Sequence, residues 1–170
     1  MKRAWILVTM VLFLCALSAS VAGAEEELCG IVVGQTVLTP GQKMVFVFSQ
    51  FAAPDIIHAS RGKSDKKDDF VQMAYTEPGL VFYITNDDNV IKAIIVKNSG
   101  TKLKGIPFEV GDSYDKVKKT WGEPDKKEAG FANYFKKGVI FKVTDQGAVE
   151  SITIYKPGKV DYDEMNKQKG

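Results

Sequence analysis

The chain carries one pattern twice. Gly111-Asp112-Ser113-Tyr114-Asp115-Lys116-Val117, closed by Trp121-Gly122-Glu123-Pro124-Asp125, lies 70 residues after Gly41-Gln42-Lys43-Met44-Val45-Phe46-Val47, closed by Phe51-Ala52-Ala53-Pro54-Asp55. Glycine, valine, a large aromatic and Pro-Asp coincide. Further on, Tyr134, Gly138, Phe141, Thr144, Val149, Ile154 and Lys156 match Tyr75, Gly79, Phe82, Thr85, Val90, Ile95 and Lys97 at an offset of 59. The offset falls by 11, so the first copy holds an insert of that length between Asp55 and Tyr75, and the polar stretch 59–69 is its natural place. Order, spacing and residue type agree through one break, which points to a divergent tandem repeat.

Each copy predicts a helix followed by strands. Asp112 or Ser113 can cap a helix, since either side chain can accept from a free backbone NH. Tyr114, Val117 and Trp121 then recur at spacings of three and four and form an apolar stripe. Gly122 and Pro124 end it. Met44, Val47, Phe48 and Phe51 repeat the stripe in the first copy, but Val45 and Phe46 add apolar, β-favouring residues, so a strand stays open there. In the second copy, 132–135 and 138–143 read as a hairpin and 149–155 as a third strand. In the first copy, 80–85 and 90–97 flank the turn Asn86-Asp87-Asp88-Asn89. The predicted class is α+β: two tandem divergent repeats, each a helical segment plus an antiparallel three-strand meander. The aromatic stripes belong to a core, because each large buried side chain contributes about 1.5–3 kcal/mol.

The N-terminus predicts export. Lys2 and Arg3 precede an apolar run over 4–17, and small residues end at Ala22-Gly23-Ala24. A basic start, a short apolar core and an A-x-A ending form a secretory signal peptide over 1–24. The expected organisation is that signal, a first repeat over 25–100, a second over 101–158 and a polar tail over 159–170. Removing Lys2 and Arg3 from the 23 basic residues leaves 21 against 21 acidic ones. A near-neutral chain in which Lys and Asp alternate over 63–69 lacks the one-sided basic surface that nucleic acid requires. Cys29 is then the one remaining cysteine, so no internal disulfide can form; an intermolecular disulfide dimer through Cys29 stays open. Leu14 precedes Cys15 and Leu28 precedes Cys29, so neither cysteine has the small neighbour of a lipoprotein signal.

The residues Val110-Gly111-Asp112-Ser113, Asp115, Val117, Trp121-Gly122, Pro124-Asp125, Asn133-Tyr134-Phe135, Gly138, Phe141, Asp145, Gly147 and Val149 resemble the BamE/SmpA-like modules of bacterial envelopes. In tandem, such units resemble the β-lactamase inhibitor protein fold. The resemblance covers 106–155 and, through the repeat, 41–97. It implies a non-catalytic module that binds other proteins in the periplasm or outside the cell. The chain departs from it in lacking a lipidation site and paired cysteines.

No residue set points to chemistry. His58 is the one histidine, with no nucleophile motif around it. One histidine and one cysteine cannot build a zinc site. Asp65, Asp68, Asp69 and the Asn86–Asn89 turn lack the spacing of a calcium loop. The expectation is a protein that is not an enzyme, with no cofactor and no metal. It would work as an envelope interaction or assembly module, the alternatives being a secreted enzyme inhibitor using 59–69 as an intruding loop, or a small-ligand carrier. Phe131, Tyr134 and Tyr155 are the candidate interaction surface, on whichever sheet face exposes them.

Overall fold

A computed structural model describes residues 28–61 and 69–158. The expected signal peptide, most of the polar insert and the polar tail lie outside these residues. The main element is one antiparallel sheet of eight strands, in the order β3-β4-β5-β6-β11-β10-β9-β8. Its strands are β3 (Ile56–Ser60), β4 (Phe70–Tyr75), β5 (Leu80–Thr85), β6 (Ile91–Val96), β8 (Lys126–Glu128), β9 (Phe131–Tyr134), β10 (Val139–Val143) and β11 (Val149–Tyr155). A second sheet of three strands joins β1 (Gly30–Val33), β2 (Thr36–Leu38) and β7 (Leu103–Lys104) in the order β2-β1-β7.

This corrects the predicted class. The protein is mostly antiparallel sheet, not two α+β units each made of a helix and three strands. Each half gives four strands to one sheet, because β3 and β8 precede the expected hairpins. Among the described residues only α2 (Tyr114–Trp121) exceeds two turns of helix; α1 (Val45–Gln50) has six residues and no side-chain cap. The difference is local chemistry. Ser113 Oγ accepts from Asp115 N at 3.3 Å, and Asp112 holds Lys116 at 2.9 Å one turn on. Met44 stands at the cap position of α1 and offers no oxygen there.

The halves meet through β6 and β11. Their register pairs Ala93 with Tyr155, Ile94 with Ile154, Ile95 with Thr153 and Val96 with Ile152. Moving each residue by the 59-residue offset maps this ladder onto itself: Ile94 and Ile154 become Thr153 and Ile95. Gly79 and Gly138, also 59 apart, both have positive φ, 64° and 63°. A Cβ at Gly138 would lie 2.1 Å from Tyr155 O, so only glycine fits. The halves differ in their outer hairpins. β3 and β4 are each two residues longer than β8 and β9, and the link between them is longer too.

One face of the large sheet is covered across its central strands. Met73, Phe82, Ile94, Val96, Phe141, Ile152 and Ile154 pack there against Ile31 and Leu38 of the small sheet, Val47 of α1, and Tyr114 and Val117 of α2. Trp121 closes this layer edge-on to Phe108, with ring centroids 5.0 Å apart. Tyr134 OH donates to Gly122 O at 2.9 Å and ties the end of α2 to the sheet.

Phe82 and Phe141 occupy equivalent places in this layer and are both fully buried. Phe82→Ala and Phe141→Ala should each cost about 3–5 kcal/mol. Urea denaturation of the two variants should give losses of similar size.

Candidate protein-binding face

Against the second face of the large sheet packs Phe135, from the short 3-10 turn Phe135–Lys137. Strand alternation decides what this face shows. One row crosses all eight strands: Ile56, Ala74, Val81, Ile95, Thr153, Ile140, Asn133 and Lys126. The row beside it holds His58, Gln72, Tyr83, Ala93 and Tyr155. A solvated sheet face normally alternates to polar residues. Here most of the row is apolar. Ala93, Ile140 and Tyr155 are buried beneath the partly exposed rings of Tyr83, Phe131 and Phe135. Phe70 extends the strip, its ring 5.3 Å from that of Tyr83.

The candidate residues part company here. Phe131 and Tyr155 lie in this cluster, while Tyr134 is on the covered face against Trp121 and Phe141. Tyr134 and Tyr155 are buried, so neither is a surface residue as expected, and only Phe131 reaches solvent in part. Strand alternation alone cannot say which face has a covering layer. Tyr83, Phe70 and Phe135 were missed. Their signal lay in the second, odd-numbered or even-numbered set of each strand, which becomes legible only once the register is known.

Beneath the strip sits a polar pair. Tyr155 OH donates to Asn133 Oδ1 at 2.7 Å, and Asn133 is 3% exposed. Burial pushes the Tyr155 phenol up to about 12. Burial also raises Tyr83. On the other face, Tyr134 is raised first by burial and then by Tyr114 beside it.

His58 is exposed on the edge strand β3, opposite Gln72. Among the described residues no three His, Cys, Asp or Glu side chains gather as metal ligands. Asp88 accepts from Thr85 Oγ1, which holds its carboxyl below the usual range and closes a turn. A shallow depression of about 380 Å³ is lined by Val32, Phe51, Pro78, Leu80, Thr101 and Lys102. Cys29 is buried, its Sγ 3.7 Å from Gly105 O, so an intermolecular disulfide would require that contact to open.

No described helix is long and apolar enough to cross a membrane. No family model matches the chain, and no curated protein does. Among solved structures, an extracellular protein containing an SCP domain from Bacillus anthracis is similar over 76% of this chain and 52% of its own length. The identity is 12% and the TM-score 0.43, so the chain spans about half of that protein and the likeness carries no functional argument.

The raised phenols set a pH limit. Tyrosine ionises near pH 10 in the unfolded chain, whereas Tyr155 resists until about pH 12. Between those values the unfolded state has lost a proton that the folded state keeps, so stability falls as pH rises. Each such tyrosine should remove about 1.4 kcal/mol per pH unit in that window. Urea midpoints measured from pH 9 to 12 should decline, and Tyr155→Phe should flatten the slope.

Proposed function

We propose that this chain is a non-catalytic, exported protein that binds another protein of the cell envelope through the open face of its large sheet. The observation that carries this reading is the one-sided layering. The helices and the small sheet cover one face, and a strip of half-buried aromatic rings occupies the other. Tyrosine and phenylalanine on a rigid sheet offer large contact area with little side-chain entropy to lose. Such rings are common energetic anchors of interfaces. The resemblance to BamE/SmpA-like modules and to the β-lactamase inhibitor fold supports the same class of activity. The sequence pattern of 1–24 supports export.

Binding by this face would differ from ligand carriage in the surface used. A carrier needs an enclosed pocket with polar groups to orient its ligand. The strip is an outward-facing row instead, suited to a partner that lays a complementary apolar surface along it.

Affinity capture from the source cell's envelope, read by mass spectrometry, tests the reading. One protein should be enriched over a matched control. Phe131→Ser with Phe135→Ser should reduce that capture at least about tenfold, since anchor truncations commonly cost 2 kcal/mol or more. Melting temperature should fall, because both rings pack on buried Ala93, Ile140 and Tyr155, while an unchanged far-UV spectrum should show that the sheet is retained. Capture that survives the double change would remove this face from the function.

A further inference from the structure

The two halves share a fold and a core but not a surface. Among the described residues, the large apolar side chains that stand exposed are Val45, Phe46, Phe48, Ile56 and Ile57. All belong to the first half. Seventy residues on, the equivalent positions are Asp115, Lys116, Lys118, Lys126 and Lys127. Each apolar residue on one side is a charged residue on the other. The same contrast separates the two ends of the sheet. β8 is a three-residue edge, Lys126-Lys127-Glu128, closed by a Lys126–Glu128 ion pair at 2.9 Å. Short charged edges of this kind block strand addition. β3 is a five-residue edge in which Ile56 is 59% and Ile57 64% exposed. An edge strand offers unpaired NH and C=O groups, and this one adds apolar side chains on both faces.

We propose that β3 pairs with β3 of a second copy, antiparallel about a two-fold axis through His58, making one sheet that continues across a homodimer. Three features select this occupant. Residues opposite each other in antiparallel strands point to the same face, so a self-paired strand must have its axis on a residue. With the axis at His58, Ile56 meets Ser60 and Ile57 meets Ala59, and the whole strand is used. The same register sets Asp55 of each copy opposite Arg61 of the other. Asp55 and Arg61 are both exposed, and Asp55 Oδ2 accepts from Thr76 N at 2.6 Å. Centring the axis on Ile57 loses both ion pairs, and centring it on Ala59 sets Ile56 and Ile57 opposite Gly62 and Arg61, beyond the end of β3. Head-to-tail addition of β3 to β8 would place isoleucines against lysines and would grow an open filament, whereas the two-fold pairing closes.

The rest of the apolar surface lies on one side of this seam. Lys127 reaches over the Tyr114 ring of α2 at 5.3 Å. The equivalent pair in the first half is Ile57 and Met44, which precedes α1. Ile57 and the exposed side of α1, with Val45, Phe46 and Phe48, therefore flank the new ladder on the covered-face side. They widen a contact that five strand residues alone would leave short of a standard interface of about 1,200–2,000 Å². The open aromatic faces of both copies end up on the same side of the continuous sheet.

Sedimentation equilibrium of the purified protein in its cellular form, from about 1 µM to 1 mM, is the first test. It should show a monomer–dimer equilibrium. Ile56→Lys with Ile57→Lys installs the residues of the other half and should weaken dimerisation at least about 100-fold, with an unchanged far-UV spectrum and melting temperature. Arg61→Glu should weaken it by about tenfold, and Asp55→Lys combined with Arg61→Glu should recover it. A monomer throughout that range overturns the proposal. So does a dimer that Ile56→Lys with Ile57→Lys leaves intact, including one broken only by Phe46→Ser with Phe48→Ser. A monomer that floats with anionic phospholipid vesicles would assign the patch to a lipid surface and overturn it equally. A charge swap that fails to recover pairing overturns the register on which the proposal rests.

Discussion

Four residue pairs hold the two halves of this molecule in one sheet: Ala93 with Tyr155, Ile94 with Ile154, Ile95 with Thr153 and Val96 with Ile152. Either half alone would be a four-stranded sheet whose inner edge, β6 or β11, exposes unpaired backbone. Joined, those edges satisfy each other and no water is needed at the centre of the sheet. The ladder also brings the two aromatic clusters of the core into one layer, Phe82 with Tyr75 and Phe51 on one side, Phe141 with Trp121 and Tyr134 on the other. Most other contacts presuppose it. The small sheet and both helices pack on a surface that exists only when eight strands lie side by side.

The interior of this arrangement was legible in the sequence wherever a residue type has one physical use. Gly79 and Gly138 stand out as paired positions, and both have positive φ; a Cβ would strike the Asn98 side chain at the first and the Tyr155 carbonyl at the second. Tyr114, Val117 and Trp121 marked α2 because their spacing fits a helix, and Ser113 and Gly122 bounded it. The edges were not legible. Lys126-Lys127-Glu128 is a strand, yet nothing in three charged residues favours one; β9 dictates it by pairing Lys126 with Asn133 and Glu128 with Phe131. The small sheet is similar: Gly30–Val33 pairs with the adjacent Thr36–Leu38, but its other neighbour, β7, lies some 70 residues away. A three-strand meander became four strands for this reason. Tyr134 and Tyr155 failed for another. They are neighbours of one hairpin system, but their strand positions place them on opposite faces. Which face is covered depends on elements remote in sequence.

We read the two halves as products of a tandem duplication, and their differences then carry information that neither half carries alone. The paired glycines and the buried phenylalanines at the 59-residue offset are what packing demands of both copies. Surface positions face no such demand, so they record what each copy came to touch. A helix that keeps Val47 and Val117 buried in both copies has no folding reason to display Phe46 and Phe48 in one and Lys116 and Lys118 in the other. Exposed aromatics of that kind favour association and aggregation, and lysines oppose both.

The placement of charge along the sheet follows the same logic. A row of eight residues on the open face begins at Ile56 and ends at Lys126, apolar at one edge and ionic at the other. A single sheet with one sealed edge and one receptive edge can add a neighbour on one side only. That polarity permits a pair and forbids a fibre, because the receptive edge of one copy finds no receptive partner except its own kind. The fold thus keeps the extended aromatic face that a binding protein needs, while the lysines of β8 limit the hazard that an eight-stranded antiparallel sheet would otherwise present at both ends.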